Sequence, residues 1–170
     1  MLKESAYGNA VLLLELGPED SGKTVDILYD VERLEKAAYP GNVEEAARYL
    51  KPERLVPDNF QVKAIAHKAV EGAQDNLMRA RALYDRVLDD MLYQKAGEGW
   101  GQGDAMHACN ARSGNCTDYH AYFIALARAV GIPARFAIGA AIASERDQGG
   151  VDGYHCWAEF FAEGKNSAQQ

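Results

Sequence analysis

Apolar residues along this chain change period twice. Val11 to Leu14 form a short apolar run, and Val25, Ile27, Tyr29 and Val31 alternate, which predicts strands over 9–16 and 24–33. Past Tyr39-Pro40-Gly41, a break that sets a boundary near residue 40, the spacing turns helical. Asn42 followed by Glu45 is a capping-box pattern for a short helix to about Leu50, which Pro52 ends. Asp58 and Gln61 open a second helix with Val62, Ile65, Ala66, Ala69 and Val70 on one face. Asp75 caps a third, striped by Ala80, Leu83, Tyr84, Val87, Leu88, Met91 and Leu92. These stripes read as core and need no cofactor to explain them.

Ala96 to Asp104 is Gly-rich around Trp100 and reads as a loop. Asn115 then caps a helix that begins at Cys116, carries Tyr119, Phe123, Ile124, Ala127 and Val130 on its apolar face, and stops at Gly131 with Pro133 beyond. Period two returns after it. Ala134 to Ala143 reads as a strand of small residues suited to burial, Ser144 to Gly153 as a polar surface loop, and Tyr154 to Ala162 as a final strand. The pleat of that strand puts His155, Trp157, Glu159 and Phe161 on one face and Tyr154, Cys156, Ala158 and Phe160 on the other. The tail from Gly164 is polar, and no internal repeat is visible.

Composition narrows the function. A chain of 170 residues, 48% apolar, suits one domain with a small appendage. The net charge of −7 and the absence of a basic cluster exclude nucleic acid as a partner. The apolar run Ala10–Leu14 is too short to span a bilayer or to serve as a signal peptide, so the chain as written is expected to be cytoplasmic, with no membrane partner. Gly17-Pro18-Glu19-Asp20-Ser21-Gly22-Lys23-Thr24 matches the phosphate-loop pattern letter for letter. That motif needs a helix starting at its Lys, and here an alternating segment follows while Glu19 and Asp20 bring negative charge. A charged turn between strands is the better reading.

Three cysteines, Cys109, Cys116 and Cys156, are an odd count that favours a free thiol over a disulfide framework. Cys116 stands where a helix start favours an anion, the setting of a nucleophilic thiol. A nucleophile needs a base, for which His155 is the candidate, and the base needs a third group to orient it. No metal is expected. The spacing of Cys109 and Cys116 is not that of a common zinc knuckle, and His155 and Cys156 point to opposite faces of a strand. Cys109 is expected to be structural, with a possible pairing to Cys116 under oxidation, and His120, one turn beyond Cys116, to be an ordinary helix residue.

Three blocks in order, Gly114-Asn115-Cys116-Thr117-Asp118-Tyr119, Gly131-Ile132-Pro133-Ala134-Arg135 and Gly153-Tyr154-His155-Cys156-Trp157-Ala158-Glu159-Phe160, closely resemble the transglutaminase-like superfamily, above all its bacterial cysteine-protease branch. The resemblance covers about Leu50 to Phe161, while residues 1–40 resemble the partial β region, here a hairpin, that often precedes such a core. It implies an α+β, papain-like fold over 41–170, in which a cysteine-bearing helix packs on an antiparallel sheet. It also implies cysteine-dependent acyl transfer through a thioester on peptide or protein amides, by hydrolysis or transamidation, with no cofactor. By that resemblance Cys116 would be the nucleophile and His155 the base, with Trp157 as a wall beside it. Apart from the resemblance, Trp100 and Gln102 in the Gly-rich loop are taken as pocket residues and candidate oxyanion donors.

The family's Asp-bearing strand has no counterpart before Gln170, so the core is expected to be truncated there. Glu159 lies about 13 Å along the strand from His155, too far to substitute. Asp118, Asp152 and Asn166 remain candidates for the third member. A catalytically impaired fold serving as a binding or scaffold module is the alternative reading. An unpaired edge on the His155 strand would favour a homodimer through that edge. Relatives are often exported.

Overall fold

The structure is a computed structural model that describes residues 1–32, 34, 38, 41–142, 147–151 and 153–162. The chain divides into two units, Met1–Ala38 and Tyr39–Gln170.

In the first unit, β1 (Leu2–Lys3) pairs antiparallel with β2 (Ala10–Val11). Of the two expected strands, only Ala10–Val11 is paired, and no strand forms among the described residues of 24–33. Alternation makes a strand only where a ladder and a covering face exist, and no described residue of this unit is buried. The phosphate-loop look-alike is a short 3-10 turn, Pro18–Asp20. Its Asp20 carboxylate accepts the Gly17 N–H at 3.0 Å and pairs with Lys23 at 2.8 Å. Lys23 is therefore engaged within the turn, and no helix starts there.

The second unit is α+β. Asn42 caps α1 (Val43–Ala47), Asn59 rather than Asp58 caps α2 (Phe60–Ala69), and Asp75 caps α3 (Asn76–Asp90). A two-residue parallel pairing joins β3 (Leu92–Tyr93) to β4 (Ser113–Gly114). Between them lies α4 (Ala105–Ala111), a helix the hydrophobic pattern does not predict. Its signal is Asp104, whose side chain accepts the N–H groups of Met106 and His107 at 2.8 and 3.1 Å.

Then comes α5 (Cys116–Ala129), followed by β5 (Ala134–Ala140) and β6 (Tyr154–Phe160), which pair antiparallel with Gly139 opposite His155. Among the described residues β6 pairs with β5 alone.

Helix α5 is the axis of this unit. Ala121 to Ala127 are all buried, as they must be in a helix packed by α2, α3, α4, β5 and β6 at once. Its two tyrosines keep their hydroxyls satisfied: Tyr119 donates to the Met91 carbonyl at 2.7 Å and Tyr122 to Asp90 at 2.9 Å. At its far end the Arg128 guanidinium donates to the carbonyls of Ala134 and Lys51, tying the exit of α5 to β5 and to the end of the first helical segment. The small-residue strand β5 is less covered than its composition suggests, with Ile138 60% exposed. The helix lies mainly against β6, so much of β5 is left open.

Candidate active site

The start of α5 is built from both sides of the chain. Arg112 closes α4 at φ 51°, β4 is anchored on β3, and Asn115 caps α5 by accepting the Thr117 N–H at 2.9 Å. Cys116 is the first helical residue and is half-buried. Asp118, in the third position of the helix, accepts the Asn115 N–H at 2.9 Å, the reciprocal half of a capping box. A side chain at Gly114 would collide with the Asp118 carboxylate, which is why the block reads Gly-Asn-Cys.

The Asp118 carboxylate does more than cap. It is fully buried and also accepts the N–H groups of Gly101 at 2.6 Å and Gly103 at 3.1 Å. Gly97, Gly99, Gly101 and Gly103 all take positive φ, so every second residue of the loop curls left-handed. The loop therefore lies on the helix start. A Cβ on Gly101 would sit 3.2 Å from Asn115 Nδ2, and one on Gly103 would sit 3.0 Å from Thr117 Cγ2. Gln102 is thus held between contacts to the residues on either side of Cys116, and Trp100, 36% exposed, stands beside it.

Across from this start runs β6. Asn115 Nδ2 donates to the Tyr154 hydroxyl at 3.3 Å, which also lies 3.5 Å from Thr117 Oγ1. Cys156 Sγ is 3.9 Å from Thr117 Oγ1 and adjoins the Cys116 side chain. Further along the same face Phe160 packs edge-on against Phe123 at 6.1 Å. The opposite face of β6 carries His155, stacked on Trp157 at 6.4 Å between ring centres, and Glu159, which binds Arg135 at 2.7 Å and accepts from Trp157 Nε1 at 3.3 Å. The alternation expected for this strand is the alternation observed. Its consequence is that Tyr154 and Cys156 face the Cys116 end of α5, while His155 is exposed on the other side.

His120, one turn beyond Cys116, belongs to this site more closely than its sequence position suggests. Burial holds its imidazole below the usual histidine range, a hydrogen bond to the Cys156 backbone opposes that shift, and the nearby His155 adds to it. Asp152 and Asn166 lie outside the described residues. Among the described residues no cluster of three or more metal-ligating side chains occurs, and no helix is long and apolar enough to cross a membrane.

The three thiols differ by environment. Cys109 lies 3.5 Å from Gln61 Nε2, and burial raises it above the ordinary thiol range. Cys156, fully buried, is pushed up to about 11, by burial first and by the adjoining Cys116 next. A sulfur adjoining Cys116 is thus that of Cys156. A raised value means less thiolate at a given pH, so both buried cysteines should resist alkylation. Iodoacetamide applied to the native protein at about pH 8 is expected to modify Cys116 at least about tenfold faster than either, read by peptide mass mapping. Equal labelling of all three would contradict this ordering.

A helix that presents a half-buried thiol beside an antiparallel strand pair, under a glycine loop, defines an α+β papain-like core. The chain belongs to the transglutaminase-like superfamily, whose pattern matches residues 63–166. It is 30% identical over 145 residues to an uncharacterised protein of Haemophilus influenzae, covering 74% of this chain and 38% of that one. A solved structure from Cytophaga hutchinsonii, described as a putative cysteine protease, superposes with a TM-score of 0.55 at 25% identity, covering 68% of this chain and 37% of that one. The chain thus spans well under half the length of both.

Proposed function

We propose that this domain is a cysteine-dependent acyl-transfer enzyme acting on peptide or protein amides. The observation that carries the reading is the placement of Cys116: first residue of a capped helix, half-buried between the glycine loop and β6, while the other two thiols are buried. Family membership and the likeness to the Cytophaga protein support it.

In this reading the Cys116 sulfur attacks the amide carbonyl carbon, and the carbonyl oxygen takes the negative charge. The Cys116 backbone N–H lies at the helix start, where donors face outward. With one donor from the loop, for which Trp100 Nε1 and the Gln102 amide are the candidates, it would hold that oxyanion. An imidazole passes the thiol proton to the departing amine, leaving a thioester. Water or a second amine then attacks the thioester, gives its proton to the imidazole, and releases Cys116. Water makes the reaction a hydrolysis and an amine makes it a transamidation.

His155 is the family's base by motif; the pleat of β6 turns its side chain away from the Cys116 end of α5, so this assignment rests on the motif alone. His120 is a second candidate for a specific reason: it shares a helix face with Cys116 and its burial favours the neutral, proton-accepting form at neutral pH. The two are separable. His155→Ala is expected to slow Cys116 alkylation and the turnover of a fluorogenic peptidyl amide by roughly 10²-fold or more, with His120→Ala having a smaller effect. The reverse order would transfer the role to His120. Equal rates in wild type and both variants would favour a binding or scaffold module instead.

A further inference from the structure

We infer that Asp118 is a positioning residue: a buried carboxylate latch that fixes the Gly97–Gly103 loop over Cys116, rather than the group that orients the imidazole. The inference rests on the acyl-transfer reading for its catalytic consequence, but the latch itself stands on geometry alone.

A buried carboxylate is costly unless its lone pairs are used. Here three backbone N–H groups use them, from Asn115 at 2.9 Å, Gly101 at 2.6 Å and Gly103 at 3.1 Å. The Asn115 bond is local, part of the helix cap. The other two reach back 17 and 15 residues to a loop that has no secondary structure of its own between Gln94 and Asp104. That loop alternates left-handed glycines with Glu98, Trp100 and Gln102, so successive N–H groups can turn toward one anion.

The two glycines whose N–H groups bind Asp118 are also the two that approach Asn115 and Thr117. One carboxylate therefore sets the height of the loop above the nucleophile and the position of the Gln102 amide and Trp100 indole. In acyl transfer a donor displaced by about 1 Å can cost roughly 10²-fold, so such a latch acts on the rate without touching substrate.

The test is Asp118→Asn in the full chain. The amide keeps one oxygen acceptor but turns an NH2 toward a backbone donor. The expected result is amide hydrogen exchange at Gly101 and Gly103 faster by about tenfold or more, the factor for losing a charged hydrogen bond, with exchange at Leu83 and Leu126 unchanged. With the peptidyl amide as probe, kcat should fall by roughly 10- to 100-fold, while alkylation of Cys116 by the small reagent iodoacetamide stays within about twofold.

An orienting partner of the imidazole would give the opposite pattern, with slowed alkylation and unchanged loop exchange, and that result overturns the latch. Should Asp118→Asn fail to fold, Gly103→Ala replaces it. Its Cβ would sit 3.0 Å from Thr117 Cγ2 at φ 69°, so it lifts the loop while leaving the carboxylate, and the same pattern is expected. Loop exchange at the wild-type rate in that variant also overturns the latch. Because exchange needs no turnover, a wild type inactive on amides would sink the enzyme reading and leave the latch measurable.

Discussion

Cys116→Ala is expected to abolish turnover of a fluorogenic peptidyl amide, lowering kcat/KM by about 10⁴-fold or more, the range seen when an enzyme loses its nucleophile. The fold should survive the change. Cys116 is only half-buried and is not part of the main hydrophobic core cluster, so the urea midpoint should shift by no more than about 1 kcal/mol equivalent. The two measurements together separate chemistry from stability. Turnover in Cys116→Ala equal to wild type would end the proposal that this sulfur is the nucleophile, whatever the family likeness. Cys156→Ala is the informative control. It removes the thiol that touches Cys116 without removing the helix-start sulfur, so activity should persist.

The second large effect concerns stability. Leu126→Ala, in the middle of α5, should destabilise the domain by about 2–5 kcal/mol, because it deletes a fully buried side chain and leaves a cavity the surrounding helices cannot close. Its neighbourhood explains the magnitude. α5 is packed on all sides, so relaxation of one wall is resisted by the others. Chemical denaturation measures it directly. A loss below about 1 kcal/mol would mean that α5 is not the axis of the core. Because the same helix presents Cys116, this variant should also lower activity at temperatures where it begins to unfold, and recover it on cooling.

Much of this architecture is legible in the chain itself. The caps Asn42, Asp75 and Asn115 stand at the starts of α1, α3 and α5, and Gly131 follows the end of α5, because unpaired backbone groups at helix ends demand side-chain or left-handed partners wherever they occur. The alternation over 154–160 correctly separates the His155 face from the Cys156 face, since the pleat depends on the backbone alone. Local rules misled where a neighbour decides. Residues 24–33 alternate without a described ladder, and β5 is small-residued yet exposed.

The amino-acid order by itself determined where the cysteine helix begins and which residues share each face of the last strand, because capping and pleating are settled within a few residues. Only the tertiary structure decided what meets that helix start. It set Cys156 and Tyr154 against it, brought His120 beside β6, and spent the Asp118 carboxylate on two glycine amides more than a dozen residues earlier in the chain. Those contacts join segments far apart in the chain, and their choice depends on which buried polar group must find partners once water is gone.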